Sequence, residues 1–171
     1  MRMRRLGWLA MALMFSASEP ASAQETIALA IEGWRPEARQ DGSVYYRCVS
    51  KICATGSVVS YKPQPHRPAL SMVEFENHHR GLAEHYSGTC NIRNVRAADP
   101  RERTIEGVRV FEARREVDWT DNTTTFSIEA RVIGPDKSFS LVSDSPKREW
   151  TANNFEGFLR SLVAIAGLKG R

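Results

Sequence analysis

The stretch Thr-Thr-Thr-Phe-Ser-Ile-Glu-Ala-Arg-Val-Ile, residues 123–133, decides the fold class. Its apolar and polar side chains alternate, with Phe126, Ile128, Ala130 and Val132 on one face and Thr125, Ser127, Glu129 and Arg131 on the other. Because successive side chains of a strand point to opposite faces, this pattern predicts a β-strand with one buried and one exposed face. Such strands are typical of antiparallel sheets.

Strands are also predicted on both sides of this stretch. Residues 107–119 carry apolar side chains on both faces: Val108 and Val110 on one, and Phe111, Ala113 and Val117 on the other. Residues 138–143 place Phe139 and Leu141 on one side. The turn formers Asp121-Asn122 and Gly134-Pro135-Asp136 separate the three strands. This order predicts an antiparallel meander.

The preceding residues predict further strands and a helix. Thr26 to Ile31 has a strand-like apolar pattern that Pro36 ends, and strands are predicted again at residues 44–47 and 57–61. Residues 69–87 have apolar side chains at helical spacing, with Gly88 placed as the C-cap. The arginine-rich residues 89–104 are predicted to be irregular.

A last helix is predicted over residues 152–166, with Asn153 and Glu156 forming a capping box. The expected fold is therefore α+β: a mainly antiparallel sheet covered by helices, in the order β-hairpin region, helix, β-meander, C-terminal helix.

Residues 1–23 have the pattern of a signal peptide. Arg2, Arg4 and Arg5 precede an apolar run over residues 6–15, and Ala21-Ser22-Ala23 provides a cleavage site after Ala23. The apolar run is shorter than the roughly 20 residues that span a bilayer. We therefore expect Sec-type export to the periplasm or the medium, a single domain over residues 24–171, and no stable membrane insertion after cleavage. An uncleaved N-terminal anchor is the alternative.

Cleavage also changes the charge of the protein. The whole chain has 24 Lys and Arg against 20 Asp and Glu, a net charge of +4. Residues 1–23 contain three of the arginines and Glu19, so their removal halves the net charge to +2. The mature domain therefore lacks the strong positive charge of nucleic-acid-binding proteins, and nucleic acid is not an expected partner.

The chain has three cysteines, Cys48, Cys53 and Cys90. In an oxidising compartment, a four-residue hairpin loop would bring Cys48 and Cys53 opposite each other and allow a disulfide worth about 2 kcal/mol. The C-x₄-C spacing does not match the C-x-x-C of thioredoxin-type redox sites. Cys90 is left as a free thiol or as a competitor for either partner, so the sequence leaves the connectivity open.

The pattern of apolar residues and glycines resembles the PsbP/Mog-type fold, which includes bacterial periplasmic relatives such as DcrB. The matching segments are Gly33-Trp34, Ile105-Glu106-Gly107-Val108, Phe126-Ser127-Ile128, Ser138-Phe139-Ser140-Leu141 and Phe155-Glu156-Gly157-Phe158-Leu159. The resemblance implies an accessory or binding role in a larger assembly, and it carries no catalytic residue over to this chain. The pair Cys48 and Cys53 is not part of the general pattern, which implies a distinct branch.

The helix of residues 69–87 holds the candidate metal ligands. Glu74, His78 and His85 share one face, which suggests a zinc or copper site, although a solvated helix face explains them more simply. Glu76 and His79 form one E-x-x-H step, where di-iron helices need two. Because His79 falls between Phe75 and Leu82, we expect a core histidine with satisfied hydrogen bonds.

Arg93, Arg96, Arg101 and Arg103 form the second candidate site. They are interpreted either as a solvated loop or as a surface for an acidic partner or anionic envelope component.

Hydrolase motifs such as G-x-S-x-G and H-E-x-x-H are absent from the sequence. We therefore expect an exported, non-enzymatic accessory or binding protein of the bacterial cell envelope, with an envelope protein as partner and no cofactor. The alternative is a small metal- or thiol-dependent periplasmic enzyme or metal chaperone that uses the histidine-bearing helix.

Overall fold

The computed structural model describes residues 28–168, where one seven-stranded antiparallel sheet is flanked by two α-helices. The strands are β1 (Trp34–Ala38), β2 (Val44–Cys48), β3 (Val58–Gln64), β4 (Ile92–Ile105), β5 (Val108–Trp119), β6 (Thr124–Ile133) and β7 (Ser138–Ser145). The helices are α1 (Met72–Ser87) and α2 (Arg148–Gly167), with a short 3₁₀ turn at Lys51–Cys53. The predicted α+β class and order of elements are confirmed.

The strands lie in the order β1-β2-β3-β7-β6-β5-β4, with every neighbouring pair antiparallel. Strands β4 to β7 form the predicted meander. The three N-terminal strands join it through β3, whose Tyr61 lies opposite Leu141 of β7.

Helix α2 covers one face of the sheet and encloses the larger core. It packs chiefly on β6 and β7, and Phe158, Leu159 and Leu162 are almost completely buried. Val108 and Val110 face this core, as their alternation predicts. Each Å² of apolar surface that is buried stabilises a fold by roughly 25 cal/mol. The larger core under α2 is therefore the main stabilising layer of the domain.

Helix α1 lies on the opposite face, over β4 and β5. Phe75 of the helix packs there with Phe111, Ala113 and Ile133. The second apolar face of β5 is therefore explained, because it contacts a second helix. The prediction that the face of Glu129 and Arg131 is solvent-exposed is wrong, because α1 lies above it and leaves both residues half-buried.

The first strand is not where the sequence predicts it. Residues 28–31 have no regular secondary structure, residues 26–27 lie outside the described part, and β1 runs through Pro36 instead. A proline is tolerated because β1 is an edge strand, paired with β2 alone. The apolar residues before it are anchored by a side chain, since the backbone N–H of Leu29 donates to the buried Tyr46 hydroxyl (2.6 Å).

The disulfide between Cys48 and Cys53 is present, with a Cα–Cα distance of 5.6 Å. The predicted four-residue hairpin loop is wrong, because β3 begins only at Val58. Cys53 lies in the 3₁₀ turn, so the bond ties this turn back to the end of β2 within one long connection. Cys90 is free and exposed, which resolves the connectivity.

The prediction that residues 89–104 are irregular is also wrong, because most of them form β4, the other edge strand. Register shifts between Ile92 and Asn94 and between Ala98 and Arg101 interrupt its pairing with β5. These irregularities, together with Pro100, remove the strict alternation by which a strand is recognised in sequence.

The helices begin at positions different from those predicted. Helix α2 begins at Arg148, so Asn153 lies inside it and the predicted capping box with Glu156 is wrong. A capping box is found on α1 instead, where Ser71 and Glu74 bond to each other's backbone N–H. Gly88 is confirmed as the C-cap of α1.

The predicted signal peptide, residues 1–23 with its cleavage site after Ala23, lies outside the described residues. Within residues 28–168, neither helix is long and apolar enough to cross a bilayer.

Candidate functional site

A cleft of about 500 Å³ opens between α1 and the sheet. It exists because α1 lies over β4 and β5 and leaves the same face of β7, β3 and β2 without a helix. Three aromatic residues and several charged ones line it, among them Tyr45, Tyr86, Trp119, His78, Arg115, Glu129 and Asp144. Its volume lies within the usual range of small-molecule sites, roughly 300–1,000 Å³.

The floor of the cleft carries the carboxyl group of Asp144. Antiparallel pairing of β6 with β7 places Ser127 opposite Asp144, and the Ser127 hydroxyl donates a hydrogen bond to Asp144 Oδ1. Burial raises the pKa of Asp144, against the opposing effects of this hydrogen bond and of the Arg115 charge. No described Lys or Arg lies within ion-pair distance of Asp144.

The neighbouring cation, Arg115, contacts residues other than Asp144. Its Nη1 lies 3.3 Å from Glu129 Oε2, and its guanidinium group lies 5.1 Å from the centre of the Tyr86 ring. Arg115 and Glu129 thus form the cross-strand pair that their alternation on β5 and β6 allows. Of the two acidic residues that line the cleft, Glu129 therefore has an ion-pair partner and Asp144 has none among the described residues.

The side chain of His79, on the buried side of α1, lies next to this pair. Its side chain is 5% exposed, and Nδ1 lies 3.7 Å from Glu129 Oε2. Burial lowers the pKa of His79 to about 4, although Glu129 acts in the opposite direction. The prediction that His79 is buried is confirmed. The prediction that its hydrogen bonds are satisfied is wrong, because neither ring nitrogen has a hydrogen-bond partner.

The aromatic residues of the cleft come from three different elements. Tyr45 lies on β2 with its ring half-exposed, Tyr86 lies on α1, and Trp119 ends β5. The indole N–H of Trp119 donates to Thr125 Oγ1 (2.9 Å), which fixes one edge of its ring. Together with Asp144, these rings provide both polar and aromatic contacts for an organic ligand.

The structure does not bring Glu74, His78 and His85 together. Glu74 and His85 are eleven positions apart, which corresponds to about 16 Å along a helix and is too far for one ion. Glu74 bonds Ser71 and Arg67 instead, and only His78 reaches the cleft. Within residues 28–168, no three His, Cys, Asp or Glu side chains are grouped closely enough to hold a metal ion.

The four candidate arginines lie on or beside the exposed edge of β4 and have partners within the domain. Arg93 donates to Asn122, and Arg96 pairs with Glu116 and Asp118. Arg101 and Arg103 both pair with the buried Glu112, and Arg103 also pairs with Glu156 (2.6 Å). Most of their charge is thus compensated internally, which favours a structural role. They are not part of the cleft between α1 and the sheet.

No protein-family model and no curated protein sequence matches this chain. Solved structures do match. The solution structure of cyanobacterial PsbP (CyanoP) from Synechocystis sp. PCC 6803 gives a TM-score of 0.53 at 13% identity, over 79% of this chain and 81% of that chain. A Pseudomonas aeruginosa protein of unknown function, PA94, gives 0.51 at 5% identity, over 78% and 85%. The chain therefore has a PsbP-like fold, as its sequence pattern predicts. Neither similar protein is named as an enzyme.

Proposed function

We propose that this chain is an exported, non-enzymatic accessory protein of the bacterial cell envelope, and that it binds its partner in the cleft between α1 and the sheet. The observation that carries the proposal is the incomplete cover of this sheet face. Helix α1 covers β4 and β5 and leaves beside it an opening of about 500 Å³ lined by aromatic and charged side chains. Concave surfaces of this composition are typical binding sites.

The buried histidine near the cleft is not placed to act as a catalytic base. A general base has to lie within hydrogen-bond reach of the proton that it takes up. His79 lies on the buried side of α1, and its nearest charged neighbour is Glu129 at 3.7 Å. Its lowered pKa makes it a poor proton acceptor at neutral pH.

Site-specific photo-crosslinking in bacterial cells tests where the partner binds. A photoreactive amino acid replaces Ser60, which lines the cleft, and in a matched control it replaces Arg160, which is exposed on α2. We expect a defined envelope protein to crosslink through position 60 and not through position 160. Equal crosslinking at both positions, or none at position 60, would refute the assignment of the cleft.

The export part of the proposal has its own test. Mass spectrometry of the protein recovered from the periplasm or the medium should find Gln24 as the first residue, a bond between Cys48 and Cys53, and a free Cys90 thiol. Recovery from the cytoplasm with residues 1–23 intact would show that the protein is not exported.

A further inference from the structure

We propose that the cleft receives an organic cation, an ammonium or guanidinium group, that pairs with the Asp144 carboxylate. The inference rests on the proposed function, because it names the chemistry that the same cleft recognises. It would apply equally to a free amine and to a basic side chain of a partner polypeptide.

The charge balance of the floor is the first argument. Asp144 and Glu129 are both acidic, and Arg115 is the cation beside them. Arg115 pairs with Glu129 and lies over the ring of Tyr86, so its charge is already matched. Asp144 receives one hydrogen bond, from the neutral Ser127 hydroxyl. A carboxylate withdrawn from water with a single neutral donor is stabilised by an incoming cation.

The aromatic rings are the second argument. Tyr45 and Trp119 line the same cleft as Asp144, and the residue Tyr45 is 37% exposed. The faces of tyrosine and tryptophan rings attract ammonium and guanidinium groups, most strongly where water is partly excluded. The domain already uses this interaction on Tyr45 itself, whose ring has the Arg39 guanidinium group 5.1 Å from its centre.

The coordination needs of metal ions favour an organic cation. Zinc takes three or four protein ligands and calcium six to eight oxygens. The described residues contain no group of three His, Cys, Asp or Glu side chains that could hold such an ion. One carboxylate in a cleft that aromatic rings also line is instead sufficient for an alkylammonium or guanidinium group.

The test uses the mature protein and small probes of defined charge. N-acetyl-lysine methylamide and N-acetyl-arginine methylamide supply the cation on a peptide unit, putrescine supplies a free amine, and the neutral N-acetyl-norleucine methylamide is the matched control. We expect the cationic probes to shift the amide NMR signals of Ser127 and Asp144, and the neutral probe to bind at least tenfold more weakly. Tighter binding of putrescine than of the lysine and arginine probes assigns the site to a small amine, and the reverse assigns it to a polypeptide side chain.

Two variants make the test specific. Asp144→Asn keeps an acceptor for Ser127 and removes the charge, so we expect the affinity for the cationic probes to fall at least tenfold. Glu149→Gln removes one charge from the exposed start of α2 and should change the affinity less than twofold. Should Asp144→Asn not fold, Tyr45→Leu at the half-exposed ring provides the second measurement, with an expected loss of about threefold.

The inference is overturned if the neutral probe binds as well as the cationic ones, or if the folded Asp144→Asn variant keeps the wild-type affinity. Crosslinking through position 60 without any binding of the cationic probes would refute this inference alone and leave the proposed function standing. Failure of both experiments would refute both.

Discussion

Acidification should destabilise the domain through His79, which is buried between α1 and the sheet. Burial has the largest effect and lowers the pKa of His79 to about 4; Arg115, His78 and Arg131 act in the same direction, and Glu129 opposes them. In the unfolded chain, the imidazole has a pKa of about 6.5. Between these two values the unfolded chain binds a proton that the folded chain does not. The free energy of unfolding of the domain therefore decreases as the pH falls through this window. The stability that the neutral, buried His79 contributes is fully present above pH 6.5.

The two pKa values fix the size of the effect. Proton linkage gives a loss of about 2 kcal/mol between pH 7.5 and pH 5, approaching roughly 3 kcal/mol below pH 4. Urea unfolding followed by tryptophan fluorescence measures it, with His79→Gln as the control that cannot titrate. Other groups, such as Asp144, whose raised pKa acts in the opposite sense, are present in both proteins, so the difference between the two pH profiles isolates His79.

Parallel stability profiles for the wild type and His79→Gln would refute the reasoning. An NMR titration in which the His79 ring of the folded protein changes charge above pH 6 would refute it independently, because it would show that the ring is not held neutral by burial.

Three further predictions concern stability and are checked by urea unfolding at pH 7. In Gly134→Ala, the new Cβ would lie 2.0 Å from the backbone oxygen of Ala166, so we expect a loss of about 3 kcal/mol, and an unchanged midpoint would mean that α2 packs less closely on the sheet. Phe158→Ala empties a site that is 1% exposed and should cost about 3–5 kcal/mol; a loss under 1 kcal/mol would contradict its place in the core. Replacing Cys48 and Cys53 with serine should cost about 2 kcal/mol, and a reduced wild type more stable than the serine variant by that amount would show that the bond is not the cause.

The sequence predicts those elements whose two faces meet different surroundings. Strand β5 is such a case, because Val108 faces the core under α2 while Phe111 faces α1, and both appear as separate apolar sets. The edge strands β1 and β4 cannot be predicted from the alternation of apolar and polar residues in this way. Pro36 in β1 and Pro100 in β4 are tolerated only because an edge has one neighbour, and this neighbour cannot be known before the sheet order is known.

The cleft shows a different limit of sequence reasoning. Ser127 and Glu129 are placed on one face of β6 by alternation alone, and Trp119 is placed at a strand end. The position of Asp144 beside Ser127 depends on the register between β6 and β7, and that of Tyr45 depends on the pairing of β3 with β7. The predicted metal site with Glu74 and His85 is wrong for another reason. The prediction considered only that both residues share a helix face, and not the axial distance between them.

The pairing of β3 with β7 also determines when the domain can be completed. Ser57 and Ser145, whose side chains are hydrogen-bonded across this junction, are 88 positions apart in the chain. The pairs within the β1–β3 segment and its disulfide are local in the chain, while the free edge of β3 pairs with a strand that follows α1 and three further strands. Contacts of such long separation slow folding, because much chain entropy is lost before they form. A chain cut off before β7 would therefore keep its cystine but lose the strand that joins β3 to β6, and it would present β3 as a bare edge for aggregation.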